Sequence, residues 1–167
     1  ITDYLKLDGV IDLNGESQLI QTEGSVLDAN STGSIQRDQQ GTANSYNYNY
    51  WSSPVSTGSP NSGFTIAEVL KDGTDPKNIQ DISFKRQYTW ADNRNYTGEK
   101  RISTYWLNTF HQTATYAGWQ QIDQNTPLSA GVGYTMKGTS GAINISSLQN
   151  YTFSGLPNNG DILLPIK

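Results

Sequence analysis

SYNYNYWSSPV, residues 45–55, sets three tyrosines on strict alternation with a tryptophan directly after them. In an extended strand successive side chains leave on opposite faces, so Tyr46, Tyr48 and Tyr50 share one face and Asn47, Asn49 and Trp51 share the other. The alternation predicts a strand over 46–51, ended by Ser52-Ser53-Pro54. The ring row has two readings. It is a platform on which sugar rings stack, or it is packing that covers a sheet face.

Composition bears on that choice. The 167 residues suffice for one domain, or for one domain with a small appendage. Hydrophobic residues make up 34% of the chain, and the 10 Tyr and 4 Trp account for much of that share. So many rings argue against long disorder. Abundant Thr, Ser, Asn, Gln and Gly, with β-branched and aromatic residues between them, is the mix of an all-β domain. A chain short of Leu and Ile builds its core from rings, each covering about 150–250 Å². Trp51, Trp106 and Trp119 are therefore expected in the core, with the tyrosine row covering a sheet face. Tyr46, Tyr48, Tyr50 and Trp90 are the candidate ligand-binding rings.

The net charge is −4 and the charges are scattered. A phosphate-binding surface needs clustered Lys and Arg, so a nucleic acid partner is not expected. No stretch approaches the roughly 20 apolar residues of a membrane-spanning helix, and membrane insertion is not expected. The chain has no cysteine, hence no disulfide, thiolate nucleophile or cysteine-ligated metal. His111 is the sole histidine and lies in no recognisable nucleophile motif. Most of the 15 Asp and Glu sit in turn sequences, where a carboxylate bonds its own backbone. An enzyme is not expected. No cofactor is expected either, except structural calcium. Asp72-Gly-Thr-Asp sets two carboxylates in one turn, making Asp72, Thr74 and Asp75 candidate calcium ligands beside the reading of a plain turn.

Two rhythms divide the chain. Over residues 1–40 short strand-like pieces end at Gly9, Gly15, Gly24 and Gly33, which suggests β-solenoid-like rungs, with an ordinary meander as the alternative. From residue 41 to 167 aromatics rise and strand-like runs alternate with turn signals, as in an antiparallel β-sandwich. The runs are 79–84, 101–107, 116–122, 132–136, 143–145, 151–153 and 161–164; FTIAEVL, 64–70, fits a strand or one to two helical turns. Opening on Ile1 and closing on ILLPIK, the chain reads as part of a longer polypeptide.

The blocks IDLNGESQLIQTEGS, DQQGTANSYNYNYWSSPVS, VLKDGTDPKN, GWQQI, GVGYTMKG and YTFSGLPNNGDI resemble a module of large secreted cell-surface proteins of Bacteroidota, especially flavobacterial cargo of type IX secretion. The resemblance runs from about residue 8 to the end. It implies an extracellular, cell-surface location and a structural or adhesive role, as in an adhesin, stalk or filament. The partners would be neighbouring segments of the parent chain or identical subunits, and glycans or cell surfaces. The alternative is a carbohydrate-binding module of a secreted polysaccharide-degrading enzyme.

Overall fold

Short strands ended by turn residues make an all-β chain of several sheets. The computed structural model describes residues 2–92, 99–111, 115–141 and 144–164.

The first forty residues turn back on themselves in parallel. β1 (Thr2–Leu5) lies beside β3 (Gln21–Leu27), and β2 (Val10–Leu13) beside β4 (Ser34–Thr42). Val10 pairs with Ser34 and Leu13 with Arg37, in parallel register. The corners stack as well. Leu7 N–H donates to Ser31 Oγ at 3.0 Å, while Gly33 N–H donates to the Leu7 carbonyl at 2.7 Å. A Cβ on Gly33 would fall into the Gly9 backbone, which is why this corner is glycine. Arg37 fastens the 13–17 loop by donating through Nη1 to the carbonyls of Leu13, Gly15 and Ser17.

Beyond β4 come β5 (Tyr48–Trp51), β6 (Val55–Ser56), a single helical turn α1 (Ile66–Val69) and β7 (Leu70–Asp72). FTIAEVL thus holds both of its expected forms. Thr65 caps the turn, its Oγ1 accepting from Glu68 N–H and donating to the Glu68 carboxylate. There follow β8 (Ser83–Lys85), β9 (Arg101–Ser103), β10 (Asn108–Phe110), β11 (Trp119–Gln121), β12 (Tyr134–Lys137) and β13 (Leu148–Pro157).

β13 is the spine. One edge runs antiparallel along β4, from Leu148–Thr42 to Gly155–Ile35, and the other takes β7 and then β6. The expected break at 40/41 therefore falls inside a strand paired along its length. A second, antiparallel sheet has the order β11-β10-β12-β5, and β8 and β9 form a parallel pair. Trp51 joins the two larger sheets, its ring 5.1 Å from Tyr151 and 6.0 Å from Phe153, both nearly perpendicular. The ring lies on Gly41, where a Cβ would sit 2.5 Å from the indole. Ile66, Val69, Leu70, Leu107 and Met136 are fully buried in the core cluster against which Trp51 packs.

Several sequence expectations shift. Tyr46 lies in a turn, because Asn44 Oδ1 accepts from Tyr46 N–H and holds the chain bent until β5 begins at Tyr48. Run 101–107 divides into β9 and a 3-10 turn, Thr104–Trp106, and run 116–122 begins as a 3-10 turn, Tyr116–Gly118. Residues 144–145 and 161–164 carry no strand pairing; residue 143 lies outside the described residues.

An aromatic cleft as the candidate functional site

β5 obeys its alternation, but the outcome is opposite to the packing expectation. Asn49 and Trp51 turn inward, and Tyr48 and Tyr50 turn to solvent. Tyr46, Tyr48 and Tyr50 are 65%, 36% and 70% exposed, so the row covers no sheet face. Tyr134, Tyr151, Phe153 and aliphatics gathered from distant segments form the core, and Trp51 packs against it. Trp119 also departs from expectation, standing 37% exposed, while Trp106 is half-buried.

Cross-strand register collects the rest of the site. On β12, Thr135 lies opposite Tyr50 and Lys137 opposite Tyr48, so both leave on the tyrosine side. On β10, Asn108 faces Thr135, and Phe110 faces Trp119 of β11. The result is two adjoining clefts of about 310 and 240 Å³ that share Tyr50, Asn108, Trp119 and Thr135. Tyr48 and Tyr50 form one wall, with ring centroids 6.4 Å apart. Phe110 and Trp119 form the other, edge to face at 5.1 Å, with the exposed Tyr116 beyond Trp119. Thr135 and Asn108 make a polar floor. Burial, with the Tyr116 and Tyr50 hydroxyls close by, pushes the Tyr48 phenol up and keeps it neutral. The cleft thus combines exposed ring faces with neutral donors and acceptors.

At one end Lys137 Nζ sits 3.7 Å from the Trp106 ring and 5.7 and 5.8 Å from the Tyr46 and Tyr48 rings. Trp106 donates its indole N–H to the Tyr88 carbonyl at 2.9 Å, which leads toward Trp90. Trp90 is not a free platform. Lys85 Nζ at 4.7 Å and the Arg101 guanidinium at 4.4 Å lie against its ring. The structure thus brings Tyr46, Tyr48 and Tyr50 to one place and leaves Trp90 in a neighbouring cluster.

The calcium expectation meets a different cation. Asp72 is buried, and its Oδ1 accepts from Thr74 N–H at 2.9 Å, from the Thr74 hydroxyl at 2.6 Å and from Lys100 Nζ at 3.0 Å. Lys100 also donates to the Asn150 carbonyl at 2.6 Å and lies 4.2 Å from the Tyr151 ring centroid. Burial pushes the Asp72 carboxyl up, but Thr74 and Lys100 outweigh it and hold it below its ordinary value of 3.8. Asp75 closes its own turn on Lys77 N–H. An ammonium therefore occupies the place that calcium would need, and Asp72, Thr74 and Asp75 form an ion-paired turn. Among the described residues no group of three or more His, Cys, Asp or Glu is placed to hold a metal.

A larger, polar cleft of about 590 Å³ beside Arg37 and Asp38 offers less to a ligand. Arg37 is taken up by three carbonyls, and Asp38 Oδ1 accepts from Asn150 and Thr152.

No curated protein and no solved structure matches the chain. A family model spans all of it, residues 1–167, and the chain belongs to that family, described as a domain of unknown function (DUF8693).

Proposed function

We propose that this chain is an adhesive, glycan-binding module of an extracellular bacterial surface protein, and that the four-stranded sheet holds the polysaccharide. The observation that carries this reading is the pair of exposed aromatic walls, Tyr48–Tyr50 and Phe110–Trp119, facing each other across Thr135 and Asn108. A sandwich-like body holds the β5 register through Trp51, so the outward rings are set before ligand arrives. The flavobacterial resemblance supports the cell-surface location. Affinity electrophoresis against a panel of neutral and acidic polysaccharides tests the reading. Tyr50→Ala and Trp119→Ala are each expected to weaken retardation about tenfold, roughly 1.4 kcal/mol. Equal retardation of both variants and the unaltered chain would sink it.

A structural role is a second reading, favoured by the parallel N-terminal pairing. Among the described residues β1 and β2 each pair on one edge, and both pairings repeat after a similar chain length, as in stacked solenoid-like rungs. A neighbouring segment of a parent chain, or an identical subunit, would add to those edges. Hydrogen exchange measures this directly: outer-edge amides of β1 and β2 should gain protection at high concentration or within a longer parent chain. Unchanged exchange in both settings removes this second role.

A further inference from the structure

Among the described residues the aromatic face carries one cation, Lys137, and its surroundings are unlike those of Lys100. Lys137 ends β12 opposite Tyr48, with its Nζ among the rings of Trp106, Tyr46 and Tyr48. Among the described residues no carboxylate lies within 4.0 Å of it. Burial pushes its pKa down, and Asp92 pulls the other way from a longer range. An ammonium partly stripped of water, and held by rings rather than by a counter-ion, gains more from an incoming anion than a fully solvated one does. Its place matters as much as its charge. Thr135, on the same strand and the same side, floors the cleft two residues away, so an anion at Lys137 lies in line with rings stacked on Tyr48 and Tyr50.

We propose that the glycan in this cleft is a polyuronate, with a sugar carboxylate paired to Lys137 while adjacent sugar rings lie on Tyr48 and Tyr50. This rests on the glycan-binding reading above and names its ligand class. A uronic acid brings one charge per sugar and leaves the ring face flat, which suits a face with one ammonium and several aromatic rings. A densely sulfated chain would call for a cluster of cations, and Arg forks suit sulfate better than a single Lys does. With a net charge of −4 the chain as a whole repels polyanions, so attraction to one has to be local.

Calorimetric titration with polygalacturonate oligosaccharides, and with the same oligosaccharides after carboxyl reduction, reads the inference. The unaltered chain should bind the acidic form about tenfold tighter at low ionic strength. High salt should remove that preference, since it screens the partly exposed pair. Lys137→Gln should lose the preference, and Lys137→Arg should keep it. The salt arm needs no variant, so it stands even if Lys137→Gln folds poorly. Equal affinity for the two forms, or tighter binding of a sulfated galactan than of polygalacturonate, overturns the polyuronate inference and leaves the glycan cleft intact. Absence of binding to every one of these glycans overturns both.

Discussion

Lys100 and Lys137 both lie against tyrosine rings, and they have opposite fates. Lys100 is buried over Tyr151, with the Asp72 carboxylate and the Asn150 carbonyl to answer its charge. Lys137 is half-buried between Trp106 and Tyr48, with rings but no carboxylate in salt-bridge reach among the described residues. A ring face alone eases the loss of water around an ammonium only in part, so a buried lysine needs an anion as well. Lys100 has that anion within the fold and is a structural element. Lys137 has none within salt-bridge reach among the described residues, which is what the polyuronate proposal uses. Residue type does not separate the two; the neighbours that folding supplies do.

Breaking the Lys100 side of this comparison should have the largest effect. Lys100→Met strands the Asp72 carboxylate in the interior and should cost about 3–5 kcal/mol in urea unfolding. Adding Asp72→Asn should recover most of that loss, because the neutral pair leaves no buried charge unanswered. A double variant no more stable than Lys100→Met would show that the pair does not act as a unit.

Acid should have the next largest effect. The Asp72 pKa is depressed in the folded chain, so its contribution is present above the ordinary value of 3.8 and is lost as pH falls from there through the lower folded value. The Asp28 and Asp81 carboxyls are held down too, by the Tyr4 hydroxyl and by Lys71. The diagnostic quantity is therefore a difference: between pH 5 and 3, Asp72→Asn should lose less stability than the unaltered chain. Parallel curves would deny Asp72 its share.

The smallest effect sharpens the other side. With no ion pair to break among the described residues, Lys137→Gln should change unfolding stability by less than about 1 kcal/mol. A loss as large as that of Lys100→Met would make Lys137 a structural lysine and erase the contrast.

Much of the frame was legible in the chain. Gly9, Gly15 and Gly33 lie between strands of the first forty residues, whereas β3 runs through Gly24, where a break was expected; Gly33 is glycine because the Gly9 backbone occupies the space a side chain would need. The all-β character followed from the residue mix. Run lengths were less legible. Asn44 bends the chain before β5, and Leu148–Pro157 extends well past the expected 151–153 because β4, β7 and β6 lie along it. Phe110, Tyr116 and Trp119 were missed as site residues. The signal that could have found two partners was the GYTMK alternation, which pairs Thr135 with Lys137 as it pairs Tyr134 with Met136.

SYNYNYWSSPV shows where sequence stops. A period of two assigns side chains to two faces, so the chain alone determined that Tyr48 and Tyr50 part from Trp51. Both faces carried rings, and alternation is symmetric with respect to which of them turns inward. Only the tertiary structure decided that. Gly41 leaves room for the indole, and Tyr151 and Phe153, about a hundred residues further on, stack against it. Once Trp51 was drawn into that space, β5 had a single orientation left, and its tyrosines became a wall of the cleft.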